Sequence, residues 1–127
     1  MKLGIVAAVA MGGALGAVAR YFVAQVQNPT WTGFPYGIFL VNVSGGFIMG
    51  VLTELMALKF SVSPEVRAFL TTGVMGGYTT FSTFSLESAL LIQKGAMTTA
   101  TAYVVGSAIL SIVALFCGLW LVRALYA

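Results

Sequence analysis

Apolar residues dominate the chain in four long blocks that are separated by short connections. The blocks cover residues 3–26, 35–58, 66–92 and 97–124, and the connections cover residues 27–34, 59–65 and 93–96. A helix needs about 20 apolar residues to cross the hydrocarbon core of a bilayer. The pattern therefore predicts four transmembrane helices, and connections this short make helices that are consecutive in the chain antiparallel neighbours.

Composition excludes a water-soluble fold. Of the 127 residues, 60% are hydrophobic and 7% are charged, whereas about 25% of residues are charged in soluble domains. The apolar character extends along the whole chain, so we predict one transmembrane domain over residues 1–127. The chain has a single cysteine, Cys117, and no histidine. An internal disulfide and a cysteine-based metal cluster are ruled out, and a non-enzymatic function is expected.

The net charge of +3 does not indicate nucleic-acid binding, because the basic residues are scattered singly along the chain. They are Lys2, Arg20, Lys59, Arg67, Lys94 and Arg123. Single basic residues near the ends of membrane spans are typical of interface anchors and topology signals. Four of them fall on the side of the termini and two, Arg20 and Lys94, on the other. The positive-inside rule therefore gives only a modest preference for cytoplasmic termini.

Glycines recur at a four-residue spacing in three of the blocks. The pairs are Gly12 and Gly16, Gly46 and Gly50, and Gly73 and Gly77. Apolar surface alone does not drive helix association in lipid, and small residues at this spacing let two backbones approach closely. Four short helices enclose little room, so a polar conduit shielded from lipid is expected to need a dimer or a higher oligomer.

The third block carries an unusual polar stretch. Residues 73–85 contain two adjacent glycines followed by six residues that bear hydroxyl groups. Backbone that leaves the helix at membrane depth is tolerated only where it is buried in protein or lines water. Broken membrane helices also present the free carbonyls and amides that transporters use to hold ions. We predict a broken third helix; the alternative is a kink whose carbonyls are satisfied by Thr79, Thr80 or Ser82.

Two phenylalanines follow the glycine pair. Phe81 and Phe84 are three residues apart, so they share one face of a resumed helix. The edge of an aromatic ring is electropositive and can line a path for an anion. Phenylalanines in membrane helices more commonly face lipid or pack against neighbours, and that interpretation stays open for this pair.

Polar side chains also occur in the middle of the second and fourth blocks. The amide of Asn42 suits an anion through its N–H donors, or a bond to another helix. A stripe of hydroxyls recurs every four residues on one face of the fourth helix. Its members are Tyr103, Ser107 and Ser111. These hydroxyls can donate to an anion or bond back to their own helix.

Ionisable residues inside membrane spans are functional candidates by default. Arg20 lies near the end of the first span, where its side chain can also extend to the interface. Glu87 is three residues beyond Phe84 and therefore on the same face. It is a candidate to accept hydrogen bonds from a polar file or to cap a pore mouth, whereas Glu54 lies towards the periphery of its span.

Three of these stretches together resemble the Fluc (CrcB) family of fluoride channels. They are residues 12–21, the segment that contains Asn42 and Gly45, and residues 76–84, with their order and spacing preserved over essentially the full length. The resemblance implies an all-α membrane protein with four transmembrane helices and a break in the third. It also implies an antiparallel, dual-topology homodimer with two fluoride pores, in the inner or plasma membrane of the cell.

The resemblance further implies roles for individual residues. Arg20 is expected at the vestibule, and the main-chain carbonyls of Gly76 and Thr79 are expected to hold a structural sodium ion at the dimer centre. The expected pore lining consists of Phe81, Phe84, Asn42, Tyr103, Ser107, Ser111, Thr80, Ser82, Ser85 and Glu87. The chain departs from the family at Ile38, where threonine is usual, so one hydroxyl of the polar lining is missing.

We therefore expect passive, selective conduction that lets fluoride leave the cytoplasm and lowers its toxicity. The main alternative is a small four-helix multidrug or cation antiporter coupled to protons. That chemistry needs a carboxylate within the membrane, typically early in the first helix, and the first helix here contains no acid. A third interpretation, a noncatalytic assembly or membrane-shaping subunit, accounts for the glycines but not for the polar stretch.

Overall fold

The computed structural model describes residues 2–26 and 33–126, and all regular structure within them is helical. The first two helices are α1 (Leu3–Ala24) and α2 (Tyr36–Leu58). A third helical stretch follows without interruption from residue 64 to residue 78. It comprises α3 (Pro64–Ala68), a π-helix (Phe69–Met75) and α4 (Gly76–Tyr78). The last two helices are α5 (Ser82–Gln93) and α6 (Met97–Tyr126).

Within the described residues, the helices long and apolar enough to cross a membrane are α1, α2 and α6. They agree with the first, second and fourth predicted spans. The predicted third span corresponds to two shorter helical pieces, residues 64–78 and α5, on either side of residues 79–81. The predicted connection at 27–34 lies mostly outside the described residues.

Local sequence explains where several of these helices begin and end. The Ser63 hydroxyl accepts a hydrogen bond from the N–H of Val66 at 3.2 Å, and Pro64 occupies the first turn of α3. At the other end of the span, Gly95 adopts φ +79°, and its N–H donates to the Ile92 carbonyl at 3.0 Å. This conformation suits glycine and ends α5 tightly before α6 begins.

Glycines bring α1 against the helical stretch 64–78. A Cβ atom on Gly12 would meet the Phe69 carbonyl oxygen, and one on Gly16 would meet that of Val74. From the other side, a Cβ on Gly77 would meet the backbone of Gly13. The predicted close approach of backbones at the small residues is therefore confirmed for this pair of helices.

A second seam of the same kind joins α2 to α6. Cβ atoms on Gly46 and Gly50 would meet the carbonyl oxygens of Ser111 and Leu115, and one on Gly118 would meet that of Phe47. The most extensive helix contacts are thus α1 with the 64–78 stretch and α2 with α6. Consecutive helices such as α1 and α2 are also in contact, as the short connections predicted, but the glycine faces of alternate helices pack more closely.

Most of the large apolar side chains point outward, as expected for a protein in lipid. A small core lies near the start of α2, where Ile38, Leu91 and Ala100 pack with Tyr103. Tyr103 is completely buried, and it is one of the two largest side chains to be so. This core lies beside α5 and positions the aromatic residues of the candidate site.

Candidate functional site

The third span loses its helical conformation at residues 79–81. Thr79 has φ −82° and ψ 161°, which is extended backbone, and α5 begins at Ser82. Thr79 is also the last residue bonded to the preceding helix, because its N–H and its hydroxyl both donate to the Met75 carbonyl at 3.0 Å. The backbone groups that follow must therefore find partners elsewhere.

Asn42 supplies two of these partners. Its side-chain Nδ2 donates to the Thr80 carbonyl at 3.1 Å, and its Oδ1 accepts from the Thr80 N–H at 3.0 Å. The side chain thus imitates the pairing of a neighbouring strand. Of the two uses that the sequence left open for Asn42, the structure shows the bond between helices, and one N–H of the amide remains for another acceptor.

Arg20 and Thr80 supply two more partners. The Arg20 Nε donates to the Gly77 carbonyl at 3.0 Å, and the Thr80 hydroxyl accepts from the Thr83 N–H at 3.2 Å. In an uninterrupted helix the Thr80 N–H would bond to Gly76, and the Thr83 N–H would bond to Thr79. Because both donors are engaged elsewhere, the carbonyls of Gly76 and Thr79 lack their helical donors.

Gly45 lets α2 approach the non-helical segment. A Cβ atom on Gly45 would meet the Thr79 side chain. One residue earlier, the Ser44 and Tyr78 hydroxyls share a hydrogen bond of 2.9 Å. From α2, the Asn42 amide therefore bonds to the segment and the Ser44 hydroxyl bonds to Tyr78 just before it. Gly45 leaves room for the Thr79 side chain.

A groove runs beside this segment, between α2, α4, the start of α5 and α6. Its volume is about 570 Å³. The residues that line this neutral groove include Asn42, Gly76, Thr79, Thr80, Phe81, Phe84, Ser107 and Ser111. Phe81 is 78% exposed and Ile112, which also lines the groove, is 60% exposed. Among the residues that the structure describes, the groove is thus an open face.

Three hydroxyl oxygens near this groove are buried and have no hydrogen-bond partner among the described residues. They belong to Tyr103, Ser107 and Ser111, the hydroxyl stripe noted on the fourth helix. By contrast, the Thr101 hydroxyl on the same helix bonds back to the Met97 carbonyl at 2.8 Å. A buried hydroxyl without a partner is costly, so this stripe is set apart from the ordinary hydroxyls of the helix.

Aromatic rings connect the groove to the core. The Phe81 and Phe84 ring centroids are 5.6 Å apart, and Phe84 lies 5.2 Å from Tyr103. The Phe34 ring also packs edge to face against Tyr103, with the ring centroids 5.5 Å apart. Phe34 is not among the predicted site residues, because nothing in the sequence around it distinguishes it from a packing residue.

A second cavity, of about 500 Å³, lies at the end of the molecule where α1 ends and α2 begins. The side chains that line this charged cavity include Arg20, Phe34, Ile38, Thr83 and Glu87. Arg20 and Glu87 do not form an ion pair among the described residues. The cavity therefore presents one positive and one negative group without direct neutralisation.

The opposite end of the molecule carries a paired charge. The Arg123 Nε lies 2.6 Å from the Glu54 Oε2, and the Glu54 residue is buried. Close by in the fold, the Lys59 ammonium lies 4.3 Å from the centre of the Tyr126 ring. These contacts join the ends of α2 and α6 and leave Glu54 engaged as a structural partner.

The predicted site residues lie at different places in the structure. Asn42, Thr80, both phenylalanines and the two serines of the stripe meet at the neutral groove, whereas Arg20 and Glu87 meet at the charged cavity. Ser82 and Ser85 line neither, and the Ser85 hydroxyl bonds back to the Phe81 carbonyl at 2.9 Å. Tyr103 is enclosed beside Phe84.

Comparison with known proteins identifies the relatives of this chain. A family model described as CrcB-like protein, camphor resistance (CrcB), matches residues 7–119. The fluoride-specific ion channel FluC of Nitrobacter winogradskyi is 46% identical over 127 residues, which cover 98% of this chain and 100% of the relative. Proteins of the same name from Chelativorans sp. and Rhodospirillum centenum are each 50% identical, over 92% and 97% of this chain and 94% and 98% of their own lengths.

Proposed function

Since the chain belongs to the CrcB-like protein family, we propose that it is a fluoride-selective ion channel and not an enzyme. It lets fluoride leave the cytoplasm passively across the inner or plasma membrane and so lowers fluoride toxicity. The names of the relatives support the choice of ion. The observation that carries the mechanism is the set of buried hydroxyls beside the non-helical segment that have no hydrogen-bond partner in the described part of the chain.

Fluoride is small and holds its water tightly, so a conduction path must replace that water with closely spaced donors. Ser107, Ser111 and Tyr103 offer three hydroxyl donors that no described group occupies. Asn42 offers its remaining N–H at the same groove. Hydrogen bonds to a charged group are worth more than those between neutral groups, so an anion is the partner that repays burying these donors.

The two phenylalanines complete the lining. Phe81 and Phe84 lie in contact at the groove, and their ring edges are weakly electropositive. Ring edges attract an anion without the deep binding site that a lysine would create, and a weak site lets the ion leave again. Chloride is larger and gains less from compact donors, so it is excluded.

The conducting unit is an antiparallel homodimer in which a second copy covers the neutral groove. In one protomer Phe81 and Ile112 stand largely exposed on the groove wall, next to buried donors and to the Gly76 and Thr79 carbonyls, which lack their helical donors. Lipid cannot satisfy polar backbone at this depth. A second copy of the same apolar and hydroxyl-bearing face can enclose it, and the near balance of basic residues between the two ends is compatible with insertion in both orientations.

A structural sodium ion fits the main chain at the dimer centre. The carbonyls of Gly76 and Thr79 lack their helical donors and lie on the groove that the second copy covers. Carbonyl oxygens of unwound membrane helices are suitable ligands for sodium. When bound, the ion would hold the two non-helical segments together by satisfying these oxygens.

Reconstitution tests the proposed function directly. Protein in liposomes loaded with potassium fluoride should release fluoride to a fluoride electrode once a potassium ionophore is added, whereas liposomes loaded with chloride should keep their contents. Rapid chloride release without fluoride release would refute the proposal. An absence of fluoride release, together with transport of an organic cation that depends on a proton gradient, would favour the antiporter instead.

A further inference from the structure

Phe34 is held in a defined position just before α2. Gly33 adopts φ +67°, and Pro35 has φ −80° and ψ 76°. The Tyr36 N–H donates to the Phe34 carbonyl at 2.9 Å across Pro35, which makes an inverse γ-turn. A proline with a fixed φ and a closed turn restrict the backbone at Phe34, so its ring is directed by the local chain as well as by its contacts.

The ring of Phe34 contacts Tyr103 in a specific orientation. The two rings meet edge to face, with centroids 5.5 Å apart and planes at 88°. Phe39 supports Phe34 in the same manner, at 5.3 Å and 76°. Edge-to-face pairs are favoured arrangements of aromatic rings, so these contacts define how the Tyr103 ring is turned as well as where it lies.

The orientation of the Tyr103 ring decides where its hydroxyl lies. The phenolic oxygen is in the plane of the ring, and it is buried without a hydrogen-bond partner among the described residues. No hydrogen bond to a described residue therefore fixes this oxygen. The position of the oxygen depends on how the Tyr103 ring packs. Among the described residues, the aromatic neighbours of that ring are Phe34 and the pore phenylalanine Phe84.

We propose that Phe34 is a positioning residue for conduction, which holds the Tyr103 ring against Phe84 so that the Tyr103 hydroxyl is presented to the passing anion. The residue lines the charged cavity, while Phe84 lines the neutral groove. The Phe34, Tyr103 and Phe84 rings therefore form a continuous contact from one space to the other. This inference rests on the proposed fluoride function.

A double-mutant cycle on fluoride efflux tests the inference. The variants are Phe34→Leu, Tyr103→Phe and the double variant, each reconstituted in liposomes and measured with a fluoride electrode. Phe34→Leu should lower the efflux rate about threefold to tenfold, the range expected from losing an oriented ring contact. Tyr103→Phe keeps the ring and removes the hydroxyl. If Phe34 acts through that hydroxyl, the double variant should be no slower than Tyr103→Phe alone.

Phe116→Leu is the matched control. Phe116 pairs with Trp120 at 5.8 Å on α6, lines neither cavity and is exposed, so the same substitution there should leave the efflux rate unchanged. Size-exclusion profiles and thermal unfolding in detergent should match wild type for each variant that is compared. If Phe34→Leu fails this check, Phe34→Met, which keeps more of the side-chain volume, takes its place in the cycle.

The outcomes separate the inference from the function on which it rests. Wild-type protein without fluoride efflux would refute the proposed function and the inference together. Wild-type efflux with a Phe34 variant at the wild-type rate would refute the inference alone. So would effects of Phe34→Leu and Tyr103→Phe that multiply in the double variant, because Phe34 would then act independently of the hydroxyl.

Discussion

The two cavities differ in the kind of polar group that lines them. The charged cavity contains Arg20 and Glu87, and the arginine is already bonded to the Gly77 carbonyl. None of the described residues that line the neutral groove carries a charge, yet Ser107 and Ser111 leave buried hydroxyls unpartnered there. One cavity has full charges, and the other has uncommitted neutral donors.

This difference between the two cavities is suited to attracting an anion and then releasing it. A full positive charge raises the local concentration of anions over several ångströms, but inside a membrane it would bind an ion too firmly to pass it on. Neutral donors act only at contact distance and discriminate by fit. We therefore propose that Arg20 in the charged cavity attracts fluoride, and that the neutral groove dehydrates and selects it.

The largest expected effect comes from removing the amide that holds the non-helical segment at the neutral groove. Asn42→Leu leaves the Thr80 N–H and carbonyl without the bonds of 3.0 and 3.1 Å that they now make. Losing two hydrogen bonds in a conducting arrangement should lower fluoride efflux by about 100-fold. Ser44→Ala, which removes one hydroxyl contact to Tyr78, should lower it far less. Efflux at the wild-type rate from Asn42→Leu would show that conduction does not depend on the bonds between Asn42 and Thr80.

The next effect tests whether the unpartnered hydroxyls serve the ion. Ser107→Ala and Ser111→Ala should each lower fluoride efflux about tenfold, since each removes a donor to an anion. Neither should lower the unfolding temperature, because these hydroxyls have no hydrogen-bond partner among the described residues. Thr101→Ala on the same helix is the control and should conduct normally. A loss of stability without loss of efflux would assign the serines a packing role.

A smaller effect is expected at the charged cavity. Arg20→Met should lower fluoride efflux about threefold to tenfold at low fluoride concentration and less at high concentration, because the charge raises the local anion concentration. Arg20→Lys should recover part of the rate if charge is what matters. Lys94→Met removes a positive charge that lines neither cavity and serves as control. An Arg20→Met effect equal at all concentrations would instead point to the bond with Gly77.

The smallest expected effect concerns the departure at position 38. Ile38 is buried, packs with Tyr103 and lines the charged cavity. Ile38→Thr adds a hydroxyl there and should raise fluoride efflux by less than about threefold, at a cost of about 1–3 kcal/mol in unfolding free energy for the buried hydroxyl. Efflux and chemical unfolding of the same preparation measure both. Ile38→Val, which shortens the side chain without a hydroxyl, should not raise efflux.

The sequence predicted those features whose cause is local. The apolar blocks marked the helices, because a helix must reach across the hydrocarbon core whatever it packs against. The paired glycines predicted close backbone contacts because the missing side chain is itself the reason for the approach. A glycine does not identify its partner, however, and so the preference of α1 for the 64–78 stretch could not be read from spacing.

The details of the candidate site depended on neighbours distant in sequence. Asn42 could serve an ion or a helix, and its actual partner is the backbone of Thr80, 38 residues away. That backbone is available only because the preceding helix ends at Tyr78. Likewise, the isolation of the Ser107 and Ser111 hydroxyls is a property of the packed protomer, since an isolated helix would let them bond back to their own carbonyls.

The dependence of fluoride efflux on protein density tests the central claim most directly, namely that a second copy closes the neutral groove into a fluoride path. Liposomes are loaded with equal amounts of fluoride and chloride, and the protein is diluted until many of them hold no active unit. If a second copy closes the groove, the fraction of liposomes that lose fluoride should follow random occupancy by units of two copies, while chloride stays inside. Occupancy that fits single copies, or release of both ions together, would contradict it.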